Sequence, residues 1–82
     1  MIEFPCHFPI KIIFSNEQVI ANKVIAILYR HYPLLKADAI KQHVSRKNNY
    51  CSLTIKLFAQ NQPELDALYC ELTADPDIKM VL

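Results

Sequence analysis

The feature that most constrains this chain is a hydrophobic period that switches from two to 3.6 and back, twice. Apolar residues alternate at Phe8, Ile10, Ile12 and Phe14, then follow a helical stripe through Ile20, Val24, Ile27, Leu28 and His31. Alternation returns at Leu53, Ile55, Leu57 and Ala59, a second stripe follows at Leu65, Leu68, Tyr69 and Leu72, and the chain closes on a short strand-like run from Ile78 to Leu82. A strand turns successive side chains to opposite faces, whereas a helix aligns residues three and four apart, so the pattern spells two strand-helix-strand halves. Between them, residues 36–45 read as a weaker, charged strand with Ile40 and Val44 as its inward anchors.

This βαββαβ order predicts an α+β, ferredoxin-like sandwich: a four-stranded antiparallel sheet of order 4-1-3-2 with two helices on one face. Residues 1–82 form a single domain, with residues 1–7 an N-terminal arm pinned by Phe4-Pro5. Ser15 is the expected N-cap of the first helix, with Gln18 completing a capping box, and Pro33 ends that helix near His31. Asn61 and Glu64 open the second helix in the same way, and Asp75-Pro76 closes it. Arg46-Lys47-Asn48-Asn49 is the turn between the middle strands, with asparagine taking the left-handed position that glycine usually fills.

Glycine is absent from the whole chain, although ordinary usage predicts about six in this length. A phosphate-cradling loop, a dinucleotide-binding turn and a GXXG clamp all need backbone without a Cβ, so none is expected in its usual form. The cysteines Cys6, Cys51 and Cys70 are odd in number and lack metal-ligand spacing, which indicates neither a disulfide framework nor a zinc site and suits a reducing cytoplasm. His7, His31 and His43 fall in three different elements, with His31 placed to meet the last carbonyls of the first helix. No metal or cofactor is expected. Acid, base and nucleophile candidates are scattered, so no catalytic residues are assigned and an enzyme is the least favoured class. No apolar run approaches the roughly 20 residues that a membrane-spanning helix requires.

Alternation yields one functional lead. If Ile10 and Ile12 face the helices, then Lys11 and Ile13 face away, together with Lys41, His43, Ser45, Tyr50, Ser52, Thr54, Lys56, Phe58, Lys79 and Val81. That face holds four lysines and no acid, while five of the eight acids lie between Glu64 and Asp77. The formal net charge of +1 therefore conceals a polarised surface. With 52% apolar residues in a domain this small, a homodimer or an unidentified protein partner is expected to cover what the fold leaves open. Nucleic acid is not an expected partner, because Tyr50 and Phe58 stand about 26 Å apart along one strand, too far to stack neighbouring bases.

The order Glu3-Phe4-Pro5, Phe8, Lys11, Arg30-His31, Pro33, Tyr50, Ser52-Leu53, Ile55, Leu68-Tyr69, Glu71-Leu72 and Met80-Val81-Leu82 resembles the YbeD-like family of small uncharacterised bacterial proteins. The resemblance implies a ferredoxin-like fold similar to ACT regulatory domains, an association with lipoate metabolism, and no transferable catalytic residues. The reading that follows is a cytoplasmic, non-enzymatic regulatory or interaction module, self-associating through the open face or an edge strand. One alternative is an ACT-like metabolite sensor, whose ligand would sit at Phe14, Ser15 and Asn16. A weak single-stranded RNA binder is the other.

Overall fold

The computed structural model describes residues 3–82. In chain order it comprises strand β1 (Cys6–Ser15), helix α1 (Gln18–His31), a single 3-10 turn (Ala37–Ala39), strand β2 (Ile40–Val44), strand β3 (Tyr50–Ala59), helix α2 (Gln62–Ala74) and strand β4 (Ile78–Val81). The sheet is antiparallel with order β2-β3-β1-β4, the ferredoxin-like arrangement. The two ten-residue strands are central because they carry the longest alternation and can be buried on one face along their whole length. Ile10, Ile12 and Phe14 of β1, with Leu53, Ile55 and Leu57 of β3, are closed off by Val24, Ile27 and Leu28 of α1 and by Leu65, Leu68 and Leu72 of α2. Burying an aliphatic or aromatic side chain of this size contributes about 1.5–3 kcal/mol, which makes this layer the main source of stability.

Several local features differ from the sequence reading, each for a physical reason. Ser15 remains in β1, paired with Tyr50, and Glu17 takes the N-cap position of α1 in extended conformation without a side-chain cap. The strand runs on because Asn16 is tied to the middle turn, its backbone N–H donating to the Asn49 carbonyl at 3.0 Å and its Nδ2 to the Asn48 carbonyl at 3.0 Å. At α2 the cap is as expected: Asn61 Oδ1 accepts from Glu64 N at 2.9 Å, and Glu64 Oε1 reaches back to Gln60 N at 3.1 Å. Asn48 adopts a φ of 59°, the left-handed position anticipated for that turn.

β2 is shorter than the charged segment from which it was read, because the chain before Ile40 winds into the 3-10 turn. Ile40 packs on the core, but Val44 is exposed, since the helical layer does not reach the end of this edge strand. In β4 a register shift between Ile13 and Phe14 makes Lys79 an extra residue. Such a bulge sets two residues against one and resets alternation beyond it. Val81 consequently pairs with Ile12 and packs on the core, and Met80 takes the outward position opposite Ile13. Val81 is thus removed from the open face on which regular alternation had placed it.

Candidate functional site

The uncovered face of the sheet is built in rows by the strand register. Lys11, Thr54 and Lys41 stand side by side across β1, β3 and β2. Leu82 joins them by exchanging both backbone hydrogen bonds with Lys11, at 3.0 and 2.8 Å. The next row is Met80, Ile13, Ser52 and His43. Ser15 and Tyr50 form the row beyond it, while in the other direction Pro9 pairs with Lys56 and His7 with Phe58. The His7 and Phe58 rings meet at a tilt with centroids 5.0 Å apart.

Ten residues expected on this surface are therefore accounted for. Lys11, Ile13, Lys41, His43, Tyr50, Ser52, Thr54, Lys56 and Phe58 share it, and Lys79 sits at the bulge on its margin. Two apolar members, Met80 and Leu82, escaped sequence analysis because they depend on the bulge and on a non-local pairing. Tyr50 and Phe58 are each 47% exposed, Met80 51% and Leu82 60%, so the face combines accessible apolar groups with cations.

The opposite layer explains why these lysines remain uncompensated. Lys23 on α1 contacts Asp75 Oδ1 at 2.9 Å and also reaches Asp77. Glu71 on α2 bridges Arg30 and His31, the latter at 2.6 Å from its Nε2. His31 thus meets a carboxylate, not the helix-end carbonyls anticipated for it. The His31 hydrogen bond, with help from Arg30, holds the Glu71 carboxyl below its ordinary range. Asp75 is lowered by the Asp77 backbone N–H and then by Lys23, and Lys23 is raised in turn by its two carboxylate partners. Among the described residues, the side chains that meet carboxylates in this way are Lys23, Arg30 and His31, all on α1.

The proposed ligand loop presents less than its sequence suggested. Phe14 is fully buried in the core and cannot line a surface site, because its position on β1 points at the helices. Ser15 belongs to the sheet, and the N–H donors of Asn16 are engaged by the middle turn. Cys51 is buried as expected for a small apolar residue, but Cys70 on α2 is exposed and more accessible than half-buried Cys6. Among the described residues no group of three or more metal-ligating side chains converges, and no helix is long and apolar enough to cross a membrane.

At the opposite end of the sheet lies a cleft of about 450 Å³ that sequence analysis did not anticipate. Its walls come from the chain between α1 and β2, including Leu34 and Leu35, from Lys56 and Phe58 of β3, and from Glu64 of α2. Tyr32 also lines it, with a buried hydroxyl that has no hydrogen-bond partner among the described residues. Burial, followed by the nearby Glu64 carboxylate, pushes this phenol up to about 12. The available sequence signal was Pro33-Leu34-Leu35, an apolar pair released just beyond a helix end.

The whole chain, residues 1–82, matches the family model described as protein of unknown function DUF493. The chain belongs to this family. A UPF0250 protein of Leptothrix cholodnii is 37% identical over 82 residues, covering 100% of this chain and 90% of the relative. UPF0250 proteins of Shewanella woodyi and Neisseria gonorrhoeae are each 34% identical over the full chain, which covers 91% and 90% of their lengths. These DUF493 relatives agree with the YbeD-like resemblance read from the sequence. No solved structure gives a significant match.

Proposed function

We propose that this DUF493 protein is a non-enzymatic, cytoplasmic interaction module whose open sheet face docks a protein presenting an acidic, partly apolar surface. One observation carries the reading: Lys11, Lys41 and Lys56 share a face that receives no acidic side chain from any of its strands, beside exposed Tyr50, Phe58, Met80 and Leu82. Accessible aromatic and methionine side chains are enriched at contact surfaces, and uncompensated cations beside them give this one a single sign of potential. The cations would steer an acidic partner and set its register, while the apolar groups would supply burial. A second copy is a poorer occupant, because a symmetric face-to-face dimer brings lysines of like charge together.

The test is capture from a bacterial extract on immobilised wild-type protein and on a Lys11→Glu, Lys41→Glu double variant. Both side chains are exposed, so the double variant should unfold at the same denaturant concentration within about 0.5 kcal/mol per site. A partner retained by the wild type should be lost from the variant, and its affinity should fall as salt rises. Equal retention by a folded variant would reject the open face as the docking surface. Light scattering that shows a concentration-dependent dimer abolished by the same substitutions would transfer the face to self-association.

A further inference from the structure

We propose that the end cleft binds a short extended peptide as an added strand beside the end of β3, in line with β2. Its preferred sequence would place an acidic residue opposite Lys56 and an apolar residue opposite Leu57. This inference does not rest on the open-face reading, although Lys56 and Phe58 border both surfaces.

Besides the outer rim of the four-residue edge strand β4, three stretches of strand backbone face no neighbouring strand among the described residues. The first is the outer rim of β2, a five-residue edge bearing exposed Lys41, Gln42 and His43, with the length and charge that discourage strand addition. The second is the first half of β1, since β4 meets β1 only near its far end. Lys11 directs both backbone groups towards Leu82 at 3.0 and 2.8 Å, and residues two apart on a strand direct theirs to the same side. Pro9 therefore presents the vacant side with a ring and no N–H, which refuses an incoming strand.

The third stretch is the end of β3, and its features are the opposite. Ser45 N donates to the Tyr50 carbonyl at 2.8 Å, so the even-numbered residues of β3 direct their backbone towards β2. β2 starts at Ile40 opposite Ile55, which leaves the Phe58 backbone directed to that side with no strand beside it. Here the chain swings away through residues 33–39, and the cleft is the gap between that segment and β3.

Three further observations fit an extended peptide in this gap. Leu34, at the outer wall, is 92% exposed, an uncommon state for a large aliphatic side chain beside a concave site. Leu57 faces the helical side of the sheet, as its full burial shows, so a peptide residue opposite it would turn inward towards Tyr32 and Leu35. Lys56 points to the open face and has no ion-pair partner among the described residues, and opposite charges on directly paired strand positions attract. Of the two cleft carboxylates, Glu64 is occupied by the Gln60 N–H at 3.1 Å, and Asp38 lies on the exposed 3-10 turn. Main-chain hydrogen bonds would supply affinity and the alternating side chains selectivity, as in other cases of strand addition.

The experiment is to pan a displayed library of random heptapeptides against the full chain and to synthesise the selected sequences. Selected peptides should carry an adjacent acidic–apolar pair and bind with Phe58 amide exchange slowed at least tenfold. N-methylation at alternate peptide positions should abolish binding in one phase and spare it in the other. Leu34→Asp, at a site exposed enough to leave the fold unchanged by circular dichroism, should weaken the peptide at least tenfold. Lys11→Glu with Lys41→Glu should alter it by less than twofold. An absence of selected peptides, indifference to N-methylation phase, or loss of binding in the lysine double variant but not in Leu34→Asp would overturn the cleft assignment. The open-face proposal would be untouched by the first two results and favoured by the third.

Discussion

The two faces of this sheet are made from the same residues in alternation, yet their chemistry has diverged. On the helical side Leu53, Ile55 and Leu57 are fully buried, and in the layer above Lys23, Arg30 and His31 of α1 meet Glu71 of α2 and Asp75 and Asp77 on the approach to β4. On the other side Thr54, Lys56 and Phe58 are exposed, and the lysines meet no acid. A near-neutral chain can thus present a basic surface because its acids lie outside the strands that build it, three of them, Glu71, Asp75 and Asp77, in ion pairs of the helical layer. Net charge alone would have hidden this.

The comparison is broken most directly on β3, where neighbouring residues belong to opposite faces. Leu53→Ala should cost about 2–5 kcal/mol in urea unfolding through lost burial and a residual cavity. Thr54→Ala should change stability by no more than about 0.5 kcal/mol. Comparable losses at both positions would mean that the outer face is covered in solution.

A smaller effect tests the bulge in β4. Val81→Asp should destabilise by roughly 1–3 kcal/mol because it brings a carboxylate against the core, whereas Met80→Asp should remain within about 0.5 kcal/mol. The reverse order would restore regular alternation along this strand and return Val81 to the open face.

The subtlest test concerns the ion pairs of the helical layer. Glu71 is held below its ordinary value of 4.5 in the folded protein, so its contribution is fully present above that pH and disappears as pH falls through the lower folded value. Wild type should therefore exceed Glu71→Gln in melting temperature at neutral pH, with the gap closing on acidification below about 4.5. A gap that persists unchanged into strong acid would show that the carboxylate charge is not what joins α1 to α2.

Much of the outer face was legible because alternation is a local rule. Once Ile10 and Ile12 are inward, Lys11 and Ile13 must be outward, and nine candidates on β1, β2 and β3 occupy the expected face for that reason. The rule failed at Val81 because a bulge is a property of pairing, and nothing in Ile78-Lys79-Met80 marks which residue will be extra. It also failed for the capping of α1, since Ser15 was kept in the strand by hydrogen bonds from Asn16 to a turn more than thirty residues away. Val44 alternates correctly but is exposed, because inward direction buries a side chain only where a helix lies above it.

The sequence by itself determined the order of elements, the central position of the two long strands and the lysine-bearing face, all of which follow from periodicity within a few residues. Tertiary structure alone decided the union of Glu71 with Arg30 and His31, the inward turn of Val81 and the cleft beside Phe58. Each of these depends on how distant segments meet. Where β2 begins against β3, how β4 slips against β1 and which helix faces align are settled by packing over tens of residues, and no local pattern encodes that distance.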